Sequence, residues 1–126
     1  MATMQEVKDF IKSNMKVEML DSGGMQTLFT FDDGRSQVIF FYFVEEMGRM
    51  LISSPFASLS DVSPKQALEA AAGSTFMGVR LIGEYLAVHH AVPVADLDPS
   101  EVSSGVAMVA AAADILEEKL VGSDNF

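Results

Sequence analysis

Two adjacent histidines, His89 and His90, are the side chains of this sequence best suited to binding a metal ion or moving a proton. They fall in a predicted strand, where neighbouring side chains point to opposite faces, so the pair does not form a chelate by itself. Asp96 and Asp98 follow closely, but their carboxylates reach the same ion only if the chain bends back. The pattern therefore predicts no metal site, and indicates one histidine at a sheet edge and one half buried.

Other groups of reactive side chains lack the partners that catalysis needs. Residues 45–46 and 117–118 are adjacent glutamates without a pattern for general acid–base work. The serines between residues 53 and 60 have no nucleophile elbow and no suitably spaced base. Asp32 to Gly34 matches a fragment of a calcium loop whose other ligands are missing. The sequence therefore predicts no catalytic and no cofactor-binding residue, and a protein that is not an enzyme.

Length and composition are typical of one acidic globular domain. The chain has 126 residues, of which 49% are hydrophobic, and this predicts a single domain over 1–126. The absence of cysteine fits a reducing cytoplasm, and the longest apolar runs are shorter than the roughly 20 residues of a membrane-spanning helix. A net charge of −10 repels nucleic-acid phosphates. We therefore expect a cytoplasmic protein that binds neither nucleic acid nor membrane.

Helix-start signals and apolar periodicity predict three helices and five strands. Capping boxes begin at Thr3, Ser63 and Asp98, and Pro55 is expected to end the third strand. The predicted order is helix, three strands, helix, two strands, helix, which is an α+β domain with an antiparallel sheet and helices packed mainly on one face. In chain order the predicted ranges are 3–14, 25–31, 36–44, 49–53, 64–72, 75–82, 85–92 and 99–120.

The segment 37–44, QVIFFYFV, is apolar on both faces of its predicted strand. Alternate residues of a strand point to opposite sides, and a sheet with one wet face would show a polar residue at every second position. Each face of this strand therefore needs a cover. The chain's own helices supply one cover, and we expect a second subunit or a partner protein to supply the other.

The dipeptide Asp33-Gly34 predicts a two-residue type I′ turn, and Gly83-Glu84 predicts a type II′ turn. The first turn pairs residue 29 with residue 38 and so assigns the faces of both strands. One face is expected to meet a partner, together with nearby methionines, whose flexible side chains adapt to apolar surfaces. The predicted partner or dimer contacts are Leu28, Ile39, Phe41, Phe43, Met47, Met50 and Met77.

Three stretches of the sequence carry a resemblance to a known family. They are DDGRSQVIFFYFVEE followed by SSPFAS, PVADLDPSEV before the last helix, and AAAADILEEKL with Gly122 and Asp124 after it. Together they cover most of the chain. In the order and spacing of these stretches, the chain resembles the YbjN family of bacterial sensory transduction regulators. The resemblance implies a fold like that of type III secretion chaperones, no enzymatic activity, and a dimer that binds another protein or acts in signalling.

We interpret the chain as a protein-binding module, chaperone-like or regulatory, that acts through an apolar sheet surface as a homodimer. A partner strand added at a sheet edge is a second means of binding. The alternative is a small-ligand-binding protein or an enzyme with a pocket between the sheet and the last helix.

Overall fold

Three α-helices and six strands make up the computed structural model, which describes residues 3–73, 77–122 and 125–126. In chain order they are α1 (Met4–Asn14), β1 (Glu18–Met19), β2 (Met25–Thr30), β3 (Ser36–Val44), β4 (Arg49–Ser58), α2 (Pro64–Ala70), β5 (Gly78–Ile82), β6 (Tyr85–Pro93) and α3 (Pro99–Leu120). Short 3-10 turns follow β3 and α2. The order agrees with the prediction, with β1 added.

Each helix begins where the sequence predicts. The side chains of Thr3, Ser63 and Asp98 accept a hydrogen bond from the backbone N–H three residues on, and the residue there accepts one in return. Two otherwise unpaired N–H groups are satisfied in this way at each helix start. Proline at the first position of α2 and α3 adds a pre-set helical φ angle.

All six strands form one antiparallel sheet in the order β1-β2-β3-β4-β6-β5, and α3 packs across one face of it. The contact is close because Gly105 has no side chain: an added Cβ would lie 3.1 Å from Ile52 Cδ1. The predicted α+β fold with helices on one face is therefore confirmed. We call the covered side the inner face and the other the outer face; the inner face carries Gln37, Ile39, Phe41, Phe43, Met50 and Ile52.

The first hairpin turn is longer than predicted. The Phe31 N–H donates to the Arg35 carbonyl at 2.8 Å, which leaves residues 32–34 as a three-residue loop. A type I′ turn needs positive φ at both central residues, whereas Gly34 has φ +89° and Asp33 does not have a positive φ. The predicted two-residue turn was therefore wrong, because the glycine follows the turn instead of completing it.

The longer turn shifts the register of β2 against β3 by one residue. Leu28, not Phe29, pairs with Val38 on the outer face. Ile39 and Phe41 point inward and are fully buried. The prediction that put Leu28 on one face with Ile39 and Phe41 was wrong, because a one-residue slip turns every side chain of a strand to the other side.

Strand β4 continues through the proline that was expected to end it. Pro55 pairs with Ala87 of β6, and the register then shifts at an irregularity between Pro55 and Ala57. The ladder between β3 and β4 ends before Pro55, so this residue has a partner strand on one side only. A missing N–H is tolerated at such a position and at bulges, which explains why the strand extends to Ser58.

The second hairpin forms as predicted. Ile82 pairs with Tyr85, which leaves Gly83 and Glu84 as a two-residue turn, and Gly83 has φ +60°. Positive φ at the first turn residue alone is the type II′ pattern. The start of the predicted strand, residues 75–76, lies outside the described residues, and β5 begins at Gly78.

A buried polar chain joins the end of α3 to the sheet. Gln37 Nε2 donates to Glu117 Oε1 at 2.6 Å, and Ser54 Oγ donates to Gln37 Oε1 at 3.1 Å. Glu117 Oε2 accepts from the Asn125 backbone N–H at 2.6 Å, and Arg35 Nη2 lies 3.8 Å from Glu117 Oε1. A buried carboxylate is tolerated only when it is bonded in this way, so the network holds α3 in one position on the sheet.

Adjacent phenylalanines on opposite faces test the assignment of the two faces. We expect Phe41→Ala to lower the free energy of unfolding by about 3–5 kcal/mol, because it leaves a cavity under α3. Phe40→Ala removes the same atoms from the half-buried outer face and should cost clearly less. Urea unfolding followed by circular dichroism measures both, and equal losses would contradict the assignment.

Candidate protein-binding surface

The two histidines lie on opposite faces of the sheet, as the strand pattern predicts. His89 pairs with Ser53 on the outer face, and His90 pairs with Ile52 on the inner face. Within residues 3–73, 77–122 and 125–126, no group of three or more His, Cys, Asp or Glu side chains is arranged to hold a metal ion. In the same ranges, no helix is both long and apolar enough to cross a membrane.

Four of the seven predicted contact residues lie in or against the core. Ile39, Phe41 and Met50 have no exposed surface. Phe43 is half-buried, and the Lys8 ammonium group lies 5.1 Å from the centre of its ring. We therefore assign the first three to the core of the single chain, because α3 and the register of the first hairpin cover that face.

The other three predicted contact residues keep accessible surface. Leu28 is 59% exposed in β2, and Met47 is 68% exposed in the turn between β3 and β4. Met77 is half-buried just before β5. Met77 lies beside β5, whereas Leu28 and Met47 lie on the side of the sheet that holds β2 and β3. The three residues therefore do not make one continuous patch on a single sheet face.

Leu28 belongs to a strand edge that is only partly paired. β1 pairs with the first two residues of β2, so Thr27–Thr30 has no strand partner on this edge among the described residues. The Thr27 hydroxyl donates to the Lys16 carbonyl at 2.8 Å, which fixes the connection after α1 beside the start of the edge. Free backbone N–H and C=O groups of this kind can pair with a strand from another chain.

An apolar groove lies on each side of this free edge, and Leu28 borders both grooves. The inner groove has a volume of about 460 Å³, with Met15 and Phe29 in its wall. The outer groove has a volume of about 260 Å³, with Val17 and Val38 in its wall. Successive side chains of a strand point to opposite faces, so a strand added here would direct alternate residues into the two grooves. We call them the edge grooves.

A second apolar surface lies on the helices. A groove of about 300 Å³ separates α2 from α3, and Met108 and Ile115 line it. Ile115 is 64% exposed, and Leu68 on α2 and Leu81 on β5 are also exposed. Sequence reasoning did not propose Leu68, Leu81 or Ile115 as contacts. The signal for Ile115 was present, because residues 108, 112 and 115 recur at helical spacing beside the buried stripe of α3.

The pocket predicted for a small ligand corresponds to a groove of about 320 Å³ between β6 and α3. Gly105 and Met108 line it on the α3 side. Its ionisable side chains are His90, Asp96 and Glu101, and they do not form a group arranged to hold a metal ion. The groove is comparable in size to the others and has no feature that points to catalysis.

Two exposed carboxylates have lowered pKa values for local reasons. The hydrogen bond from the Lys8 ammonium, at 2.8 Å, and its positive charge lower the pKa of Glu45. The Ser100 hydroxyl, followed by the Glu101 backbone N–H, lowers the pKa of Asp98, the cap of α3. Both groups serve the fold: the first ties α1 to the turn after β3, and the second stabilises a helix start.

The pKa of His89 is lowered from its ordinary value. Burial is the main cause, and the positive charges of Arg80 and His90 add to it. Gly78 gives the ring room, since an added Cβ there would lie 3.0 Å from His89 Nε2. His89 Nδ1 and the hydroxyl of its cross-strand neighbour Ser53 are both buried, and neither has a hydrogen-bond partner among the described residues.

No protein-family model matches this sequence, and no curated protein is significantly similar to it. Solved structures are similar in fold. A chain of the ExsC–ExsE complex matches with a TM-score of 0.69 at 10% identity, covering 95% of this chain and 97% of that one. The Yersinia pestis type III secretion chaperone SycH, in complex with a stable fragment of YscM2, gives a TM-score of 0.56 at 14% identity, covering 86% and 94%.

A third structure, the HopA1–SchA chaperone–effector complex, matches with a TM-score of 0.58 at 16% identity, covering 87% of this chain and 88% of the other. At these identities the likeness shows a common fold. The expectation of a type III secretion chaperone-like fold is therefore confirmed. The likeness to the YbjN family rests on the sequence stretches alone.

The lowered pKa of His89 predicts how stability changes with pH. The unfolded chain binds a proton at His89 near pH 6.5, before the folded chain does, so the free energy of unfolding should fall as the pH drops through that value. His89→Gln should flatten this fall between about pH 7.5 and about pH 5.5. Thermal melts of the two proteins across that range measure it; identical slopes in the wild-type and His89→Gln proteins would contradict the prediction.

Proposed function

We propose that this chain is a non-enzymatic protein-binding module that holds an extended segment of a partner protein, as a chaperone or regulator. The observation that carries the proposal is the free edge of β2 with an apolar groove on each side. The fold supports it, since SycH and SchA, which have similar folds, are named as chaperones in complexes with protein partners. The resemblance to the YbjN family supports a role in regulation, and the absence of cysteine fits a bacterial cytoplasm.

Binding at this edge follows from the geometry of an added strand. Backbone hydrogen bonds to Thr27–Thr30 give affinity that does not depend on the partner's sequence. The two edge grooves then select for apolar side chains at alternate positions on both sides of the strand. Leu28 contributes to both grooves and is the residue whose replacement should matter most.

We further propose that two copies associate through the helical surface. Met108 and Ile115 expose large apolar side chains along the groove between α2 and α3. Leu68 on α2 and Leu81 on the edge strand β5 are exposed as well. Exposed apolar patches of this kind on a protein of this charge are typical of association surfaces. The edge of β5 and the edge of β2 are at opposite ends of the sheet, so a dimer formed here leaves the edge grooves open.

The first test uses peptides as defined probes. Screening a displayed library of peptides of about 12 residues is expected to select apolar residues at alternate positions. Leu28→Asp should weaken binding of a selected peptide by roughly tenfold or more, because a charge would enter an apolar groove. Slower amide exchange of residues 27–30 on binding would locate the peptide.

Leu59→Asp is the matched control for Leu28→Asp, since Leu59 is an exposed leucine that lines neither edge groove. It should leave peptide binding unchanged. If peptides bind the Leu28→Asp and wild-type proteins equally, or protect only amides elsewhere, strand addition at β2 is wrong.

The second test measures the mass in solution by size-exclusion chromatography with light scattering. We expect a dimer that Ile115→Asp converts to a monomer, because the substitution places a charge in the centre of the apolar surface. Leu28→Asp changes an equally exposed apolar residue outside this surface and should remain a dimer. A monomeric wild-type protein, or a dimer that Leu28→Asp disrupts, would contradict the proposal.

A further inference from the structure

The outer face of the sheet carries a strip of small and apolar residues, and two aromatic rings border this strip on one side. Ser53, Ala87 and Ala91 point to this side from the adjacent strands β4 and β6. On the β3 side stand the rings of Phe40 and Tyr42, stacked with centroids 6.1 Å apart and planes at 18°. We call the surface the outer strip; its members are Leu51, Ser53, Ala87, His89 and Ala91. Ser53 and Ala87 are fully buried beneath their neighbours, whereas Leu51 and His89 are half-buried and Ala91 is exposed.

The charges around the outer strip are opposite in sign to those of the protein as a whole. The chain has eighteen acidic and eight basic residues, yet the only charged side chains in β3, β4, β5 and β6 are Arg49 and Arg80. Both belong to the outer face. In the part of the chain that the structure describes, neither arginine forms a salt bridge. Two cations without a salt bridge, beside an apolar surface, favour an acidic ligand.

The spacing of the arginines sets the length of that ligand. Arg49 pairs with Pro93 and Arg80 pairs with Ala87, and these two partners are six positions apart in β6. At a rise of about 3.3 Å per residue, this separation is about 20 Å along the strand. An extended segment of about seven residues spans the same distance. The strip therefore fits a short extended peptide with a carboxylate near each end.

The strip also holds polar atoms that lack partners. Ser53 has no exposed surface, and its hydroxyl and His89 Nδ1 are buried without a hydrogen bond to any described residue. Buried polar groups are nearly always bonded, and leaving one unpaired costs stability. His89 is only half-buried, so a rotation of its ring toward a segment lying on the strip would supply a donor or acceptor to the backbone of that segment.

The chain itself places a side chain at one end of this face. The ring of Phe126 meets the ring of Tyr85 edge-on, with centroids 5.7 Å apart, and Tyr85 belongs to the outer face through its pairing with Ile82.

We propose that the outer strip binds an extended segment of a partner protein, about seven residues long, with apolar residues in the middle and an aspartate or glutamate near each end. Arg49 and Arg80 pair with the two carboxylates, and the Phe40–Tyr42 stack borders the apolar centre. The surface is separate from the edge grooves and from the helical surface, so this proposal stands or fails independently of the proposed function.

The test compares two labelled peptides that differ only in their charged ends. One has two glutamates, five alternating alanines and leucines, and two glutamates; the other has lysines in place of the glutamates. We expect the glutamate peptide to bind roughly tenfold more tightly by fluorescence anisotropy, which is the size expected of two exposed ion pairs. A net charge of −10 alone would favour the lysine peptide, so this preference would come from the local arginines.

Charge reversal locates the binding surface. Arg49→Glu combined with Arg80→Glu should abolish the preference for the glutamate peptide. Lys12→Glu combined with Lys119→Glu changes the net charge equally at exposed positions outside the sheet and should retain it. Leu28→Asp should also retain it, since the edge grooves are not involved.

Three results would overturn the proposal. The first is equal or tighter binding of the lysine peptide. The second is loss of glutamate-peptide binding by the Leu28→Asp protein, which would place the bound peptide at the edge of β2. The third is a change in the solution mass of the Arg49→Glu and Arg80→Glu protein, which would show that a second copy covers the strip.

Discussion

The close approach of α3 to the sheet is the contact on which the rest of this structure depends. Near the start of the helix, Gly105 lets the backbone approach Ile52, and near its end the buried Glu117 is bonded to Gln37 of β3. One contact is apolar and close; the other is polar and directional. Together they fix the helix along and across the sheet, and thereby decide which face becomes core.

Once the inner face is occupied, the chain has little apolar surface left to bury by itself. Apart from residues in turns, such as Met47 and Leu59, the accessible apolar residues named above lie at the edge of β2, around the groove between α2 and α3, and on the outer face. These three surface regions lie on different sides of the sheet. A small domain with one helical layer leaves both sheet edges and one sheet face uncovered, and this is the physical basis for expecting several protein contacts.

The distribution of charge also distinguishes the outer face of the sheet from the rest of the surface. Strands β2 to β6 carry two arginines and no acid, whereas the chain as a whole has a net charge of −10. The acidic residues therefore lie in helices, turns and the short β1. Such a surface keeps an apolar protein in solution while leaving the outer strip locally basic, so that partners of different charge would be directed to different faces.

The sequence by itself determined the elements, because their signals are local. Capping boxes at Thr3, Ser63 and Asp98 set the helix starts, Gly83 set the second hairpin, and uninterrupted apolar residues marked β3. The resemblance to a known family led to the correct fold. These features depend on residues that are neighbours along the chain.

Only the tertiary structure decided which residues are accessible. A single extra residue in the first turn moved Leu28 to the outer face and left Ile39 and Phe41 in the core with Met50. A strand that is apolar on both sides has no polar residue to report its orientation, so its pattern did not resolve the register. The grooves beside β2 and the arginines about 20 Å apart likewise arise from strand pairing, which joins residues distant in sequence.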